Sequence, residues 1–346
     1  MTIVEVDRAV TGGVDTHLDV HVAAALDAIG GLLGVDSFVA TPSGYRSMLK
    51  WLRAFGEVEK VGIEGTGAYG AGLARFLSRS GIEVVEVDRP NRQVRRQKGK
   101  SDPLDAVEAA RAVLSGRANG RPKSRDGAVE AIRVLVLAKR SARGARLRAV
   151  HQMRQLSYTA PDALRSRFKG LSTTELVAEA TAMRPRRTTG VVEYATSVSL
   201  SGLGRRALEL TDEMARIDEQ LTELVKATAP RLLEVYGVGT DTAAVLLVAA
   251  GDNPERLRSE AAWAQICGVA PIEASSGKVT RHRLNRGGDR HANEALWRIV
   301  MTRLAFDPRT RVYMERRTKD GKSKREVIRI LKRYVAREVF RHLPRD

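Results

Sequence analysis

Hydrophobic positions in the first third of the chain alternate as strands do, with helical spacing between them. Val10 to Asp15 (VTGGVD) is a short apolar run that ends in an acid. Asp19 to Asp27 (DVHVAAALD) and Leu32 to Ala40 (LLGVDSFVA) follow, joined by the Gly30-Gly31 turn, and the three segments predict an antiparallel meander. Ser43 to Phe55 changes to helical periodicity, with Ser43 as its N-cap. Lys60 to Glu64 (KVGIE) predicts a buried strand ending in a glutamate, Gly65 to Ser80 a glycine-rich opening that becomes a helix, and Glu83 to Val87 a further strand. Lys123 to Tyr158 has no proline and predicts one long amphipathic helix with a basic face. Gly204 to Thr228 predicts another, with Leu208, Met214, Ile217, Leu221 and Leu224 near heptad spacing. Two long helices around a compact insert suggest an antiparallel coiled coil or dimerisation arm; a plain helical bundle fits the same pattern. Leu232 to Gly251 predicts two apolar helices around the turn Gly237-Val238-Gly239, Ser259 to Val269 one more, and Asp307 to His342 a basic helical tail.

A chain of 346 residues is long enough for two or three domains. The pattern divides it at 1–120, 121–228 and 229–346. A hydrophobic fraction of 43% and a mean hydropathy of -0.27 are those of a soluble globular protein. No apolar run is long enough to span a bilayer, and no signal-peptide pattern opens the chain. The lone Cys267 excludes an intramolecular disulfide and a Cys-rich zinc site, which fits a reducing cytoplasm. The net charge of +18 changes the picture most, because it calls for a polyanionic partner, and nucleic acid is the default. With only 5% aromatic residues, backbone contacts by Lys and Arg fit better than base-stacking platforms.

Three consecutive strands followed by alternating helix and strand is the order of an RNase H-like fold. In that layout Asp15 lies on the first strand and Glu64 at the end of the fourth, beside it. The stretch from Arg89 to Ala106, RPNRQVRRQKGKSDPLDA, then leads a cationic run (Arg95, Arg96, Lys98, Lys100) into Asp102 and Asp105, three residues apart. Asp-Pro-x-Asp is a good helix start, with Asp102 as N-cap and Pro103 at the first helical position. Four acids converging in an interior cannot all ionise without a cation, however, and Mg²⁺ takes oxygen ligands. Gly65, Gly67, Gly70 and Gly72 lack the Lys-Ser/Thr of a phosphate loop and read as packing glycines. His17 and His21 straddle Asp19 on alternating strand positions and read as ordinary strand residues in preference to metal ligands.

Further on, Gly237 and Gly239 mark a helix-hairpin-helix turn whose N–H groups can hold a DNA phosphate, or a simple interhelical turn. In APIEASSGKVTRHRLNRGGDR, Ser275 and Ser276 precede Gly277 and Lys278, with Arg281, Arg283, Arg286 and Arg290 close behind. A serine that attacks a phosphodiester needs close approach of the backbone and positive charge for the phosphorane, and this loop supplies both. Ser-Ser-Gly is also an everyday turn.

Two separate signatures, GVDTHLD with IEGTGAYG and GKSDPLDA, then GVGTDTA with GVAPIEASSGKVTRHRLNRGG, resemble those of the DEDD transposases of insertion sequences. This is the IS110 group, which includes Piv-like invertases, and the resemblance covers nearly the whole chain. Two departures stand out: Thr16-His17 where many members carry a small residue and Lys, and one glycine between Ser276 and Lys278 where many have two. The resemblance implies a RuvC-like domain that holds Mg²⁺ through Asp15, Glu64, Asp102 and Asp105, a long helical coiled-coil segment, and a mostly α transposase domain whose catalytic serine maps to Ser276, with Ser275 in reserve. It implies strand cleavage and exchange through a phosphoseryl–DNA link, donor and target DNA, a bridge RNA, and a composite site in a dimer or tetramer. On the residues alone two alternatives stay open: a RuvC-like junction nuclease in which water attacks, and a non-catalytic DNA-architectural protein.

Overall fold

The computed structural model describes residues 9–87, 101–253, 256–279 and 281–344. They form two compact units, one from residues up to 127 with 250–262, the other from 128–249 with 263–344. The first unit is a five-stranded sheet in the order β3-β2-β1-β4-β5. Its strands are β1 (Ala9–Thr16), β2 (Val20–Leu26), β3 (Leu32–Val39), β4 (Glu57–Glu64) and β5 (Glu83–Val87). β2 pairs antiparallel with β1 and with β3, whereas β4 runs parallel to β1 and β5 parallel to β4. This mixed sheet with flanking helices is consistent with the RNase H-like order read from the sequence.

Alternation decides what each face carries. Val10, Val14, Ala23, Ala25, Val61 and Ile63 point into one core with Leu49 and Leu52 of α1 (Pro42–Arg53) and Leu73 and Leu77 of α2 (Ala71–Arg79). Val22, Ala24 and Leu26 point the other way, against Ala106, Val107 and Ala110 of α3 (Asp102–Leu114). Gly13 is what lets α3 lie on β1. A Cβ at that position would stand 2.2 Å from both the Ala106 carbonyl oxygen and the Ala110 nitrogen. Gly62 does the same on β4, where a Cβ would meet the Ala109 carbonyl oxygen at 2.9 Å. Asp15, two residues after Gly13, therefore faces the same helix.

The second unit is helical. Its longest elements are α4 (Ala128–Thr159) and α7 (Val191–Thr228). They run antiparallel, since Lys139 pairs with Asp218 while Arg146, seven residues on, bonds the Thr211 hydroxyl, seven residues back. Between them α5 (Asp162–Phe168) and α6 (Thr173–Ala182) fold back, and Leu164, Phe168 and Leu176 join Met153 and Leu200 in a core. The heptad reading holds at Ile217 and Leu221, which are buried, but Leu208 is 45% exposed. There the small residues Gly204 and Ala207 turn inward instead, because α6 approaches closely: a Cβ on Gly204 would meet the Thr181 nitrogen at 2.8 Å.

The remainder comprises α8 (Pro230–Leu233), α9 (Thr240–Ala250), α10 (Glu260–Ile266), a two-stranded ribbon of β6 (Ile272–Glu273) and β7 (His282–Arg283), then α11 (Arg290–Phe306), α12 (Pro308–Lys319) and α13 (Lys324–His342). The expected helix before Gly237 is only the single turn of α8. The basic tail is two helices, broken at Gly321 (φ 85°) and restarted by a capping box of Ser323 and Glu326. No helix among the described residues is long and apolar enough to cross a membrane.

Candidate functional site

Asp15 sits near the end of β1 with only 7% of its surface exposed. Strand register places it beside the end of β4, since Val14 pairs with Ile63 and each acid follows by one residue. The Thr16 hydroxyl donates to the Glu64 backbone carbonyl at 2.7 Å, which pins the two strand ends together. From the opposite direction comes the first turn of α3. The cap there differs from the expected one: Ser101 is the N-cap and Asp102 is already helical. The Asp102 carboxylate is thus spared from capping, while Asp105, one turn on, is buried. Both lie at the positive end of the helix dipole, which favours negative charge.

His17 completes the cluster. Its Nε2 lies 3.2 Å from Asp15 Oδ2 and 3.4 Å from Asp102 Oδ2, within ion-pair range, yet it is buried and makes no well-directed hydrogen bond. One ligand atom each from Asp15, His17 and Asp102 lies within 4.8 Å of the others. Glu64 and Asp105 stand outside that group of three. The expectation for His17 as an ordinary strand residue is corrected here: it lies past the end of β1 and turns back over the acids. Its position two residues after Asp15 was the available signal. His21 does match that expectation. It is fully buried, stacks on Tyr45 with ring centroids 5.7 Å apart, and its pKa is lowered by burial.

Burial pushes the Asp15 carboxyl above the usual aspartate range; the His17 imidazole opposes this, and the charges of Asp105 and Asp102 reinforce it. A buried carboxylate under that pressure, a buried imidazole nitrogen whose lone pair meets no hydrogen-bond donor, and further carboxylates in reach form a set that a divalent cation satisfies. The oxygen-rich donors suit a hard ion such as Mg²⁺ or Mn²⁺, and the nitrogen donor tilts the set towards the softer end of that range. Gly70 packs as expected of a close-contact glycine, since a Cβ there would meet Ile63 at 2.9 Å.

In the second unit the β6–β7 ribbon carries the two serines at its tip. Ser276 and Val279 exchange backbone hydrogen bonds of 3.1 Å across Gly277 and Lys278. Gly277 takes φ 57° while Lys278 does not, the pattern of a type II′ hairpin turn. This is why the position between Ser276 and Lys278 is a glycine. The two serines differ in what holds them. The Ser275 hydroxyl accepts from the Arg281 backbone N–H at 3.2 Å, whereas the Ser276 hydroxyl makes no hydrogen bond with any described residue and is exposed. Lys278, Arg281, Arg283 and Arg286 are all exposed around them.

At the other predicted contact, Gly237 takes φ 82° and abuts α11, and the Arg303 guanidinium donates to the Tyr236 carbonyl at 2.9 Å. The Gly239 N–H is taken by the Thr242 hydroxyl at 3.0 Å. Cys267 is fully buried, and burial raises its thiol far above the ordinary value, so it is an inert core residue. The cations Arg95, Arg96, Lys98 and Lys100 lie outside the described residues.

Comparison with known proteins adds the following. Residues 12–157 match a family model described as a transposase of the DEDD type found in IS110. Residues 229–315 match a second model, described as the transposase IS116/IS110/IS902 family. A 136-residue segment is similar, at 33% identity, to the insertion element IS110 uncharacterized 43.6 kDa protein of Streptomyces coelicolor. The match takes in 38% of this chain and 31% of that relative, so it spans about a third of the relative's own length.

Proposed function

The chain belongs to the IS110 family of DEDD transposases, and from that premise we propose that it is a DNA recombinase that cuts and rejoins strands with Ser276 as nucleophile and a carboxylate-bound Mg²⁺ site. The observation that carries this reading is the meeting of Asp15 with the first turn of α3 at His17. Asp15, Glu64, Asp102 and Asp105 would hold the ion, with the His17 Nε2 as a further donor beside Asp15 and Asp102. Bound there, the ion supplies positive charge to a phosphate whose negative charge grows during displacement. The Ser276 hydroxyl gives up its proton as its oxygen forms a bond to phosphorus and the bond from phosphorus to one sugar oxygen breaks, and the departing sugar oxygen takes up a proton to leave as a hydroxyl. One phosphodiester replaces another, so rejoining needs no ATP. The freedom of the Ser276 hydroxyl supports its role over Ser275, which the ribbon's own backbone holds. Lys278 and Arg281 would steady the phosphate, being exposed beside Ser276.

Donor and target DNA, a bridge RNA that pairs with both, and a composite site in a dimer or tetramer belong to the same proposal. The net charge of +18 supports polyanionic partners on this scale. One observation favours a second reading: a histidine held against an aspartate can act as a general base for water, as in a metal-dependent nuclease. A covalent trapping assay separates the two. Labelled donor and target DNA are incubated with Mg²⁺ and RNA transcribed from the element's flanks, then run on a denaturing gel. The recombinase reading expects a protein–DNA adduct lost in Ser276→Ala and kept in Ser275→Ala. Free cleaved DNA without an adduct, unchanged in Ser276→Ala, would establish the hydrolytic reading instead.

A further inference from the structure

The base of the serine ribbon borders an open cavity of about 550 Å³ in the second unit, within the size range of small-molecule sites. Its walls come from the segment entering β6, the segment leaving β7, the start of α11 and one face of α13. Arg283, Arg286, Arg290, Arg329, Lys332 and Arg333 line it, and none of its lining residues is acidic. On α13, Arg329 is followed at three and four residues by Lys332 and Arg333, so all three share a face beside the buried stripe of Val327, Leu331 and Val335.

Lys332 shows that the charge is held in place. Its ammonium donates to the Asn293 Oδ1 at 2.7 Å. Asn293 is itself fixed, its amide donating to the Cys267 and Gly268 carbonyls at 2.8 and 3.2 Å. The lysine is thus tethered by a neutral acceptor, and burial followed by the neighbouring Arg329 lowers its pKa. An anion arriving beside it would relieve that strain. Between the cations the lining also carries apolar side chains, those of Pro271, Leu284 and Ile330. The far end is rigid. Gly288 crosses Gly268 so closely that a Cβ on Gly288 would lie 2.3 Å from the Gly268 nitrogen.

We propose that this cavity binds one unpaired nucleotide of a nucleic-acid strand, with its base against Pro271, Leu284 and Ile330 and its phosphate between Arg286, Arg329 and Lys332. Cations and apolar side chains lining one open cavity match the two halves of a nucleotide. A paired base is covered by its neighbours and cannot enter, so the nucleotide must be turned out of the stack. The inference rests on the recombinase reading and deepens it. Five residues of ribbon at about 3.3 Å each separate Pro271 from Ser276, on the order of 15 Å. The captured nucleotide would then lie about four to five base steps of about 3.4 Å from the phosphate under attack. Such a contact fixes the strand's register over the serine.

The test is anisotropy binding with fluorescein-labelled duplexes that are fully paired, carry one bulged adenosine, or carry one bulged abasic site, each made in DNA and in RNA. Wild-type protein should bind the bulged-adenosine duplex about tenfold more tightly than the paired one in at least one polymer, a difference of about 1.4 kcal/mol. The polymer that shows the preference identifies the strand. Arg329→Gln, at an exposed position, and Lys332→Gln should each abolish that preference. Arg325→Gln, on the same helix but outside the cavity, should preserve it. Equal affinity for paired and bulged duplexes, or equal affinity for abasic and adenosine bulges, would overturn the proposal while leaving the recombinase intact. Failure to bind any of the duplexes would instead strike at the recombinase reading itself.

Discussion

His17 is the residue whose role changes most between the chain as text and the chain as a folded object. In the sequence it is one of two histidines around Asp19; in the structure its Nε2 lies between Asp15 and Asp102. Imidazole nitrogen favours later transition ions over Mg²⁺. Isothermal titration of the full-length protein should therefore show Mn²⁺ binding weakened on the order of tenfold by His17→Ala, with Mg²⁺ binding little changed. Unchanged binding of both ions would show that His17 is not a ligand, and equal loss for both would show that its nitrogen does not discriminate between them. Asp102→Asn should weaken both ions while DNA binding persists. Between the two serines the structure distinguishes by hydrogen bonding alone: Ser275 is committed to Arg281 and Ser276 is not. No pattern in the sequence contains that difference, because it depends on which hydroxyl the ribbon's register turns towards the partner strand.

At the level of elements, the closest approach is that of α3 to β1. Gly13→Ala drives a methyl group into the backbone of Ala106 and Ala110. Denaturant unfolding should show a loss of about 1–3 kcal/mol, typical of overpacking, and cleavage should fall because Asp102 and Asp105 move with the helix. Gly202→Ala is the contrast. This glycine lies inside α7 with open space where the added methyl would sit, so the substitution should raise stability by about 0.5–1 kcal/mol. The cap of α12 provides a pH signature. The Thr310 hydroxyl, with the Arg309 and Thr310 N–H groups, holds the Asp307 carboxyl below the ordinary value of 3.8. A lowered folded-state pKa contributes stability above the unfolded value that is lost as pH falls through the folded one. Thermal melts of Asp307→Ala should thus lie a few degrees below wild type at pH 7. The gap should narrow below pH 4, and a gap that stays constant with pH would exclude the carboxylate as its source.

For the whole molecule, the excess of cations predicts binding governed by counterion release. Affinity for duplex DNA should fall about a thousandfold between 50 and 200 mM salt if six or more phosphates are contacted. Arg281→Ala or Lys278→Ala should each reduce the slope of log affinity against log salt by about one. A slope near zero would place the charge outside the interface. Much of the architecture was already legible in the chain. Apolar runs and turn residues along 10–40 marked three strands, the glutamate at the end of KVGIE fell at a strand end, and the missing prolines from 123 to 158 left room for a long helix. These depend on local rules, periodicity and turn chemistry, that act within a few residues. Other features depended on contacts between segments far apart in the chain. Asp102 gave up the cap to Ser101, small residues replaced Leu208 in the seam of α7, His17 folded over the acids, and Lys332 met Asn293 across 39 residues. Sequence determined which segments could become strands, helices and turns, and which acids and serines were available. Only tertiary packing decided which of them meet, because burial and close approach belong to pairs of surfaces and not to either one alone.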